Sequence, residues 1–576
     1  MTFEDLCKNL TNNKITKISF HDSEFRRFCF WPPNVFALLG ALLKNTGTYT
    51  YVACLPGNFS LRDDHEENAL HLGEVWFNFF SEGSRWLDYM QRGKPWSRRQ
   101  FAPKVLEKLV RSVFSKQNLK REITDIGRHW YCEESQVGSL TDVQKKEDEN
   151  NWHFLTEVFT LFAICDYACM GIETYNDGVF AAVNYMHLQE DSKNFSYSDI
   201  LRHKAVVLAK QRTPQVGIGL NSLSHYLAFI ESEVNIGLYQ SYNNQKQIQN
   251  ISDIKMLLLP WPLTIDRSNF SPSILSENKS SSCVGGFAFF DYQNRLGVTI
   301  HELIKVLNDA GEIDILVFPE ATLEKNEYLR LLEELILAEK QGTVATPNFV
   351  ICGIYSSEPN NWAENQVCLS TKSTFIDGQV EWEHIWQSKH HRWCLDPSQV
   401  RAYGIQAALS SDFRWWEGIK VGKRELKVIN IDNLFSITPL ICEDLARQDP
   451  VSEVLRALGP NLVVALLLDG PQLQSRWSSR YASILADDPG CSVLSLTAMG
   501  MIERSNKTSG YTSRTIALWK DSENGYIEID LPADTKGIIM SVECKYNEEF
   551  TLDGRSDGCS AVNLIYKEHF AVISDN

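Results

Sequence analysis

Ile313-Asp314-Ile315-Leu316-Val317-Phe318-Pro319-Glu320 is an apolar run closed by a proline and a carboxylate. The run reads as a buried strand, and Pro319 ends it. Glu320 then sits at a strand end on the rim of an apolar layer. On either side the pattern is regular. Val298 to Ala310 reads as a helix with Ile300, Leu303, Ile304 and Leu307 on one face, and Glu324 to Lys340 as another. Phe287 to Phe290 and Phe349 to Gly353 read as strands, as do Val380 to Trp386, Leu426 to Ile431, Ile437 to Cys442 and Leu462 to Leu468. Helices separate some of these strands and hairpins join others. The expectation is an α/β region built on a mixed sheet.

Two further stretches match Glu320 in kind. Ser388-Lys389-His390-His391 follows one apolar run, and Ile441-Cys442-Glu443-Asp444 closes another. A thiol attacks well only as thiolate, so it needs a base or a positive charge beside it. Glu320 offers the base, and burial would raise its hold on a proton. Lys389 offers a fixed positive charge for the thiolate and for a developing oxyanion. The backbone N–H after Cys442, at Glu443, is a second candidate oxyanion donor. Each residue alone has a plainer reading: a structural strand end, a solvated lysine, a core cysteine. The joint pattern favours cysteine-based attack on a carbon–nitrogen bond.

These segments resemble the three signatures of the nitrilase, or carbon–nitrogen hydrolase, superfamily. The Cys442-Glu443-Asp444 form is similar to that of glutaminase domains in glutamine-dependent NAD synthetases. Asn365 before Val367-Cys368-Leu369-Ser370, the turn at Asp377-Gly378, Gly459-Pro460-Asn461-Leu462-Val463 and Trp477…Arg480 extend the likeness over roughly residues 280 to 540. The resemblance implies an αββα four-layer sandwich that often forms homodimers or higher homo-oligomers. It also implies cofactor-free hydrolysis of an amide, rather than a nitrile, with Glu320 as base and acid, Lys389 as stabilising charge and Cys442 as nucleophile. Members often carry a second glutamate soon after the lysine. Here none follows closely, and Glu417 or Asp396 is the candidate replacement.

At 576 residues the chain is long enough for two or three domains. The Asn/Gln-rich stretch Gln240 to Ser252 suggests a boundary, with a mixed α/β, helix-rich accessory region over 1–250 and the nitrilase-like domain over 251–576. Residues 133 to 151, polar and highly charged, read as a surface loop or an inner boundary. The 14 cysteines show no CxxC pair, and no HExxH occurs, so reduced thiols in a cytoplasmic protein with no metal are expected; that no cofactor is needed is what the resemblance implies. No apolar run suits a membrane span.

The net charge of −17 argues against a general nucleic-acid footprint. Between Arg92 and Arg121, however, ten basic residues face one acid. Arg98, Arg99, Lys104, Lys108 and Arg111 are therefore candidate contacts for nucleic acid or an acidic partner. Lys104, Lys108 and Arg111 lie off the apolar stripe of a helix carrying Val105, Leu106, Leu109, Val110, Val113 and Phe114. Nitrilase-like domains also occur beside reverse transcriptases in bacterial antiphage systems. The competing expectation is thus a weakly active or inactive nitrilase-fold interaction protein in a defence complex. The favoured one is an amidase-like enzyme acting on a small-molecule or peptidyl amide.

Overall fold

The computed structural model describes residues 3–19, 21–50, 69–74, 76, 104–114, 142–172, 196–214, 217–231, 234–241, 253–272, 284–289, 300–356, 362–374, 379–422, 424–431, 434–556 and 560–572. They form two compact units. The first comprises 1–211, 215–233 and 548–560; the second comprises 212–214, 234–547 and 561–576.

The first unit carries helices α1 (Phe3–Thr11), α2 (Ser23–Phe30), α3 (Pro32–Thr46), α4 (Lys104–Phe114) and α5 (Asp142–Tyr167), with the antiparallel pair β1 (Val206–Ala209) and β2 (Leu227–Ile230). Pro32 and Pro33 open α3, where fixed φ suits the first turn, and Gly47, at φ 72°, closes it. Thr48 to Thr50 form a short 3-10 turn beyond that cap. Residues 142–151, read as loop, begin the long helix α5. Asp166 near the end of α5 is buried and accepts from the backbone N–H groups of His225 (2.6 Å), Tyr226 (3.0 Å) and Leu227 (2.9 Å). Arg555, from the distant segment 548–560, is buried in this unit over the Tyr167 ring and donates to the Leu223 carbonyl.

The second unit opens with β3 (Asn235–Ser241), β4 (Asp253–Leu258), β5 (Phe270–Pro272) and β6 (Val284–Phe289). Next come α6 (Ile300–Ala310), β7 (Ile315–Val317), α7 (Lys325–Lys340), β8 (Phe349–Ser356), β9 (Glu364–Thr374), β10 (Val380–Ser388), β11 (Cys394–Leu395), α8 (Pro397–Ala402) and β12 (Arg414–Glu417). Then follow β13 (Glu425–Ile431), β14 (Phe435–Ile441), α9 (Glu443–Ala446), α10 (Glu453–Leu458), β15 (Leu462–Leu467), α11 (Trp477–Asp487), β16 (Ser492–Thr497) and α12 (Met499–Ser509). Strands β17 (Thr515–Asp521), β18 (Gly525–Asp530), β19 (Ile538–Glu548) and β20 (Ser560–Ala571) complete it. They make two seven-stranded mixed sheets, ordered β10-β9-β8-β7-β4-β19-β20 and β18-β17-β16-β15-β14-β13-β3, and a four-stranded sheet β11-β12-β6-β5.

One apolar cluster holds side chains from both large sheets, among them Met256, Val317, Ile351 and Leu369 from the first and Ile429, Ile437, Leu466 and Leu494 from the second. The outer face of the first sheet packs on α6 and α7 through Leu257, Leu316 and Val350 against Leu303, Leu307, Tyr328, Leu332 and Leu335. Helix α11 packs along β16 and β17. The first sheet has β4, not β6, beside β7. Strand β6 pairs with β12 and β5 in the small sheet. Strand β3 lies ahead of residue 250 yet pairs in parallel with β13, so the second unit draws on chain that the sequence assigned to the accessory region.

Candidate functional site

Three strand ends deliver the central groups. The first is the turn after β7. Phe318 still pairs with Ile351, its N–H donating to that carbonyl at 2.8 Å; Ala321, just beyond Glu320, has φ 52°. This tight turn lies directly on Gly353 of β8. A Cβ there would come within 2.3 Å of the Pro319 oxygen, 2.5 Å of the Glu320 Cα and 2.7 Å of the Ala321 nitrogen. Thr322 locks the turn by donating through its hydroxyl to the Pro319 and Trp261 carbonyls.

The second end is that of β10. Lys389 donates its backbone N–H to the Asn365 carbonyl at 2.9 Å, and its side chain is 1% exposed. Its Nζ lies 2.8 Å from Glu320 Oε1 and 2.8 Å from Glu417 Oε2. Asn365 Nδ2 donates to both carboxylates as well, at 2.8 Å each. The Trp393 N–H adds a third contact to Glu417. The far oxygen of Glu320, Oε2, is buried and has no hydrogen-bond partner among the described residues.

The third end is that of β14. Cys442 follows Ile441 at φ 44°, ψ −104°, a conformation that side chains resist, and is 4% exposed. Its N–H donates to the Leu466 carbonyl at 2.9 Å. The thiol lies within electrostatic reach of both Glu320 and Lys389.

The electrostatics follow from burying two carboxylates, one ammonium and one thiol together. Burial raises the proton affinity of Glu320; Lys389 opposes this and Glu417 adds to it. Burial by itself would lower the lysine, but Glu320 and Glu417 outweigh it and hold the ammonium well above the ordinary range. Burial pushes the Cys442 thiol well up, Glu320 pushes it further, and Lys389 pulls it back. Moving a proton from the thiol to Glu320 relocates negative charge within the cluster without adding to it. The cost of burying more charge is thereby avoided.

The remaining predicted residues separate clearly. Glu417, not Asp396, stands beside Lys389. Asp396 caps α8, accepting from the Ser398 and Gln399 N–H groups at 2.7 and 2.8 Å. The Glu443 carboxylate pairs with Arg447 one turn along α9. Arg98 and Arg99 lie outside the described residues, as does the Asp377-Gly378 turn; Lys104 begins α4. Lys108 and Arg111 are exposed on α4, whose Val110, Val113 and Phe114 are buried.

Asp469 was not anticipated. It lies just past β15, is buried, and acts on the Cys442 thiol. Its carboxylate receives the Tyr403 hydroxyl, Arg476 Nη2 at 2.6 Å and Trp477 Nε1 at 2.9 Å. Its signal was available, because Leu462 to Leu468 is an apolar run closed by an acid, as 313–320 is. Among the described residues no group of His, Cys, Asp and Glu side chains could hold a metal ion. Among them, too, no helix is long and apolar enough to cross a membrane.

No family model matches the chain, and no curated protein does. Solved structures do. Its structural neighbours include nitrilase-superfamily proteins. One is a glutamine-dependent NAD+ synthetase from Acinetobacter baumannii, 14% identical over 55% of this chain and 45% of that one, with a TM-score of 0.24. Another is Nit3 from Saccharomyces cerevisiae, a member of branch 10 of the nitrilase superfamily, 13% identical over 48% and 90%, with a TM-score of 0.27. A third is an N-terminal amidase, 10% identical over 41% and 53%, with a TM-score of 0.20. The chain spans about half the length of the first and third.

Proposed function

We propose that this chain hydrolyses a carbon–nitrogen bond, that of an amide rather than a nitrile, through a thioester on Cys442. The observation that carries the proposal is the buried Lys389 ammonium, 2.8 Å from both Glu320 and Glu417 and within electrostatic reach of the cysteine. A lysine buried between two carboxylates is held charged at a fixed place, which a stabiliser of transient negative charge requires.

In this reading Glu320 takes the thiol proton as sulfur attacks the amide carbon. Lys389 balances the oxyanion of the tetrahedral intermediate. Glu320 returns the proton to the nitrogen as the carbon–nitrogen bond breaks and ammonia or an amine leaves. Water then gives a proton to Glu320 and its oxygen attacks the thioester; collapse releases the acid and restores the thiol. The partnerless Oε2 of Glu320 is the atom with capacity to carry these protons. Glu417 and Asn365 orient Lys389 and Glu320.

The test is to incubate the protein with primary amides, from glutamine to peptide carboxamides, and to follow ammonia release and intact mass. The expected result is release that stops in Cys442→Ala, with an acyl adduct on Cys442 in quenched samples. Adducts on other cysteines with Cys442 unmodified would overturn the proposal.

A further inference from the structure

We infer that Asp444 is a positioning residue, a buried clamp that sets the Lys389 ammonium against the Cys442 thiol by tying the segment after one to the turn after the other. Its functional meaning rests on the hydrolase reading; its geometry does not. Asp444 is fully buried two residues beyond the cysteine. Its Oδ1 accepts from the N–H groups of His390 (3.1 Å) and His391 (3.0 Å) and from His391 Nδ1 (3.1 Å), and its Oδ2 accepts from the His390 N–H at 2.9 Å. Lys389 directly precedes these two residues.

The clamp joins two sheets. Lys389 ends β10 at the edge of one, and Cys442 ends β14 inside the other. Without such ties the lysine and the thiol would keep their relation only through nonspecific apolar packing between the sheets. Gln387 and His390 add stitches nearby. The Gln387 amide donates to the Pro439 carbonyl at 2.7 Å and accepts from the Lys427 N–H at 2.8 Å, and His390 Nε2 meets the Glu425 carbonyl at 2.7 Å. Residues 387 and 390 thus engage the sheet that carries the cysteine and 391 engages the helix that follows it, while Lys389, among these, points to Glu320 and Glu417. A desolvated carboxylate is costly, and its two oxygens serve donors that an asparagine cannot all satisfy.

Alkylation of Cys442 by iodoacetamide, followed by peptide mass spectrometry at pH 8, tests the clamp without any substrate. Charged groups acting on the thiol include Glu320, Lys389, Asp469 and Glu443. In Asp444→Asn, loosening of Lys389 should slow alkylation about tenfold, as a thiol held one pH unit higher would be. With an amide substrate kcat should fall on the order of 100-fold with KM within about threefold, the effect of displacing a group by about an ångström. Mere removal of a negative charge has the opposite sign and would speed alkylation. An unchanged or faster rate therefore overturns the inference. So does an equal slowing in a Lys389→Met background, where there is no ammonium to position. If Asp444→Asn does not fold, His391→Ala, which removes one donor, should slow alkylation about twofold; no slowing in that folded variant overturns the inference. Should the wild type release nothing from any amide while Asp444→Asn still slows alkylation, the hydrolase reading fails and the clamp stands. Turnover by the wild type with normal alkylation of the variant gives the reverse.

Discussion

Gly353→Ala measures how closely the Glu320 turn must seat on β8. The new Cβ would lie 2.3 Å from the Pro319 oxygen and 2.5 Å from the Glu320 Cα, both backbone atoms with no rotamer to change. Reaching even a tight contact of 3.0 Å requires about 0.7 Å of retreat. If the turn takes that movement, the 2.8 Å bond from Lys389 to Glu320 opens to about 3.5 Å, beyond ordinary N–H···O range. Overpacking of this kind costs about 1–3 kcal/mol, and a displaced proton carrier costs on the order of 100-fold in rate. Urea unfolding and kcat/KM for ammonia release read the two effects separately. Ile354→Val, on the same strand, is the control: a buried methylene lost, about 1 kcal/mol of stability, and little change in rate. If Gly353→Ala matches wild type in both stability and rate, the turn does not need the glycine and the positioning argument is wrong.

Lys389→Met leaves Glu320 and Glu417 buried without their cation and should destabilise the fold by about 3–5 kcal/mol. The loss should be smaller at pH 5 than at pH 8, because burial already raises the proton affinity of Glu320 and its stranded carboxyl can then be protonated; chemical denaturation at the two pH values checks this. Cys442→Gly removes a side chain from a backbone at φ 44° and should raise stability by about 1 kcal/mol while abolishing ammonia release. In the first unit, burial raises Asp166 from 3.8 to about 6, against the pull of three N–H donors and Arg555. The folded state thus keeps a proton that the unfolded chain has lost. Stability should fall by roughly 3 kcal/mol as pH rises from about 4 to about 6 and then level off, a slope that Asp166→Asn should remove in urea titrations.

Much of the second unit was legible because its strands are continuous apolar runs and its helices carry apolar stripes at the helical period. Glu417 was harder. It lies 28 residues beyond Lys389, and only the fold brings β12 beside β10's end. A local sign existed: in Arg414-Trp415-Trp416-Glu417 exposure alternates, with Trp415 and Glu417 inward, so the acid occupies a core position. Asp396 could be set aside from sequence as well, since Asp396-Pro397-Ser398-Gln399 has the composition of a helix start. Asn365's two bonds, the Asp444 clamp and the Asp469 cluster depend on contacts between segments far apart in the chain. Only Asp469 has a local sign, the acid that closes an apolar run; its partners and the other contacts have none. The membership of β3 was hidden for a related reason, because the polar stretch after it looked like the boundary.

The make-up of the first unit has a consequence for biosynthesis. Its body is encoded before residue 234, but its Arg555 segment comes about three hundred residues later. During translation the early part waits, with Asp166 lacking its basic neighbour, until nearly the entire second unit has emerged from the ribosome. The part begun first is therefore completed only when all but the last strand of the second unit has been made. An arrest or frameshift late in the message would spoil the opening portion of the protein together with the end.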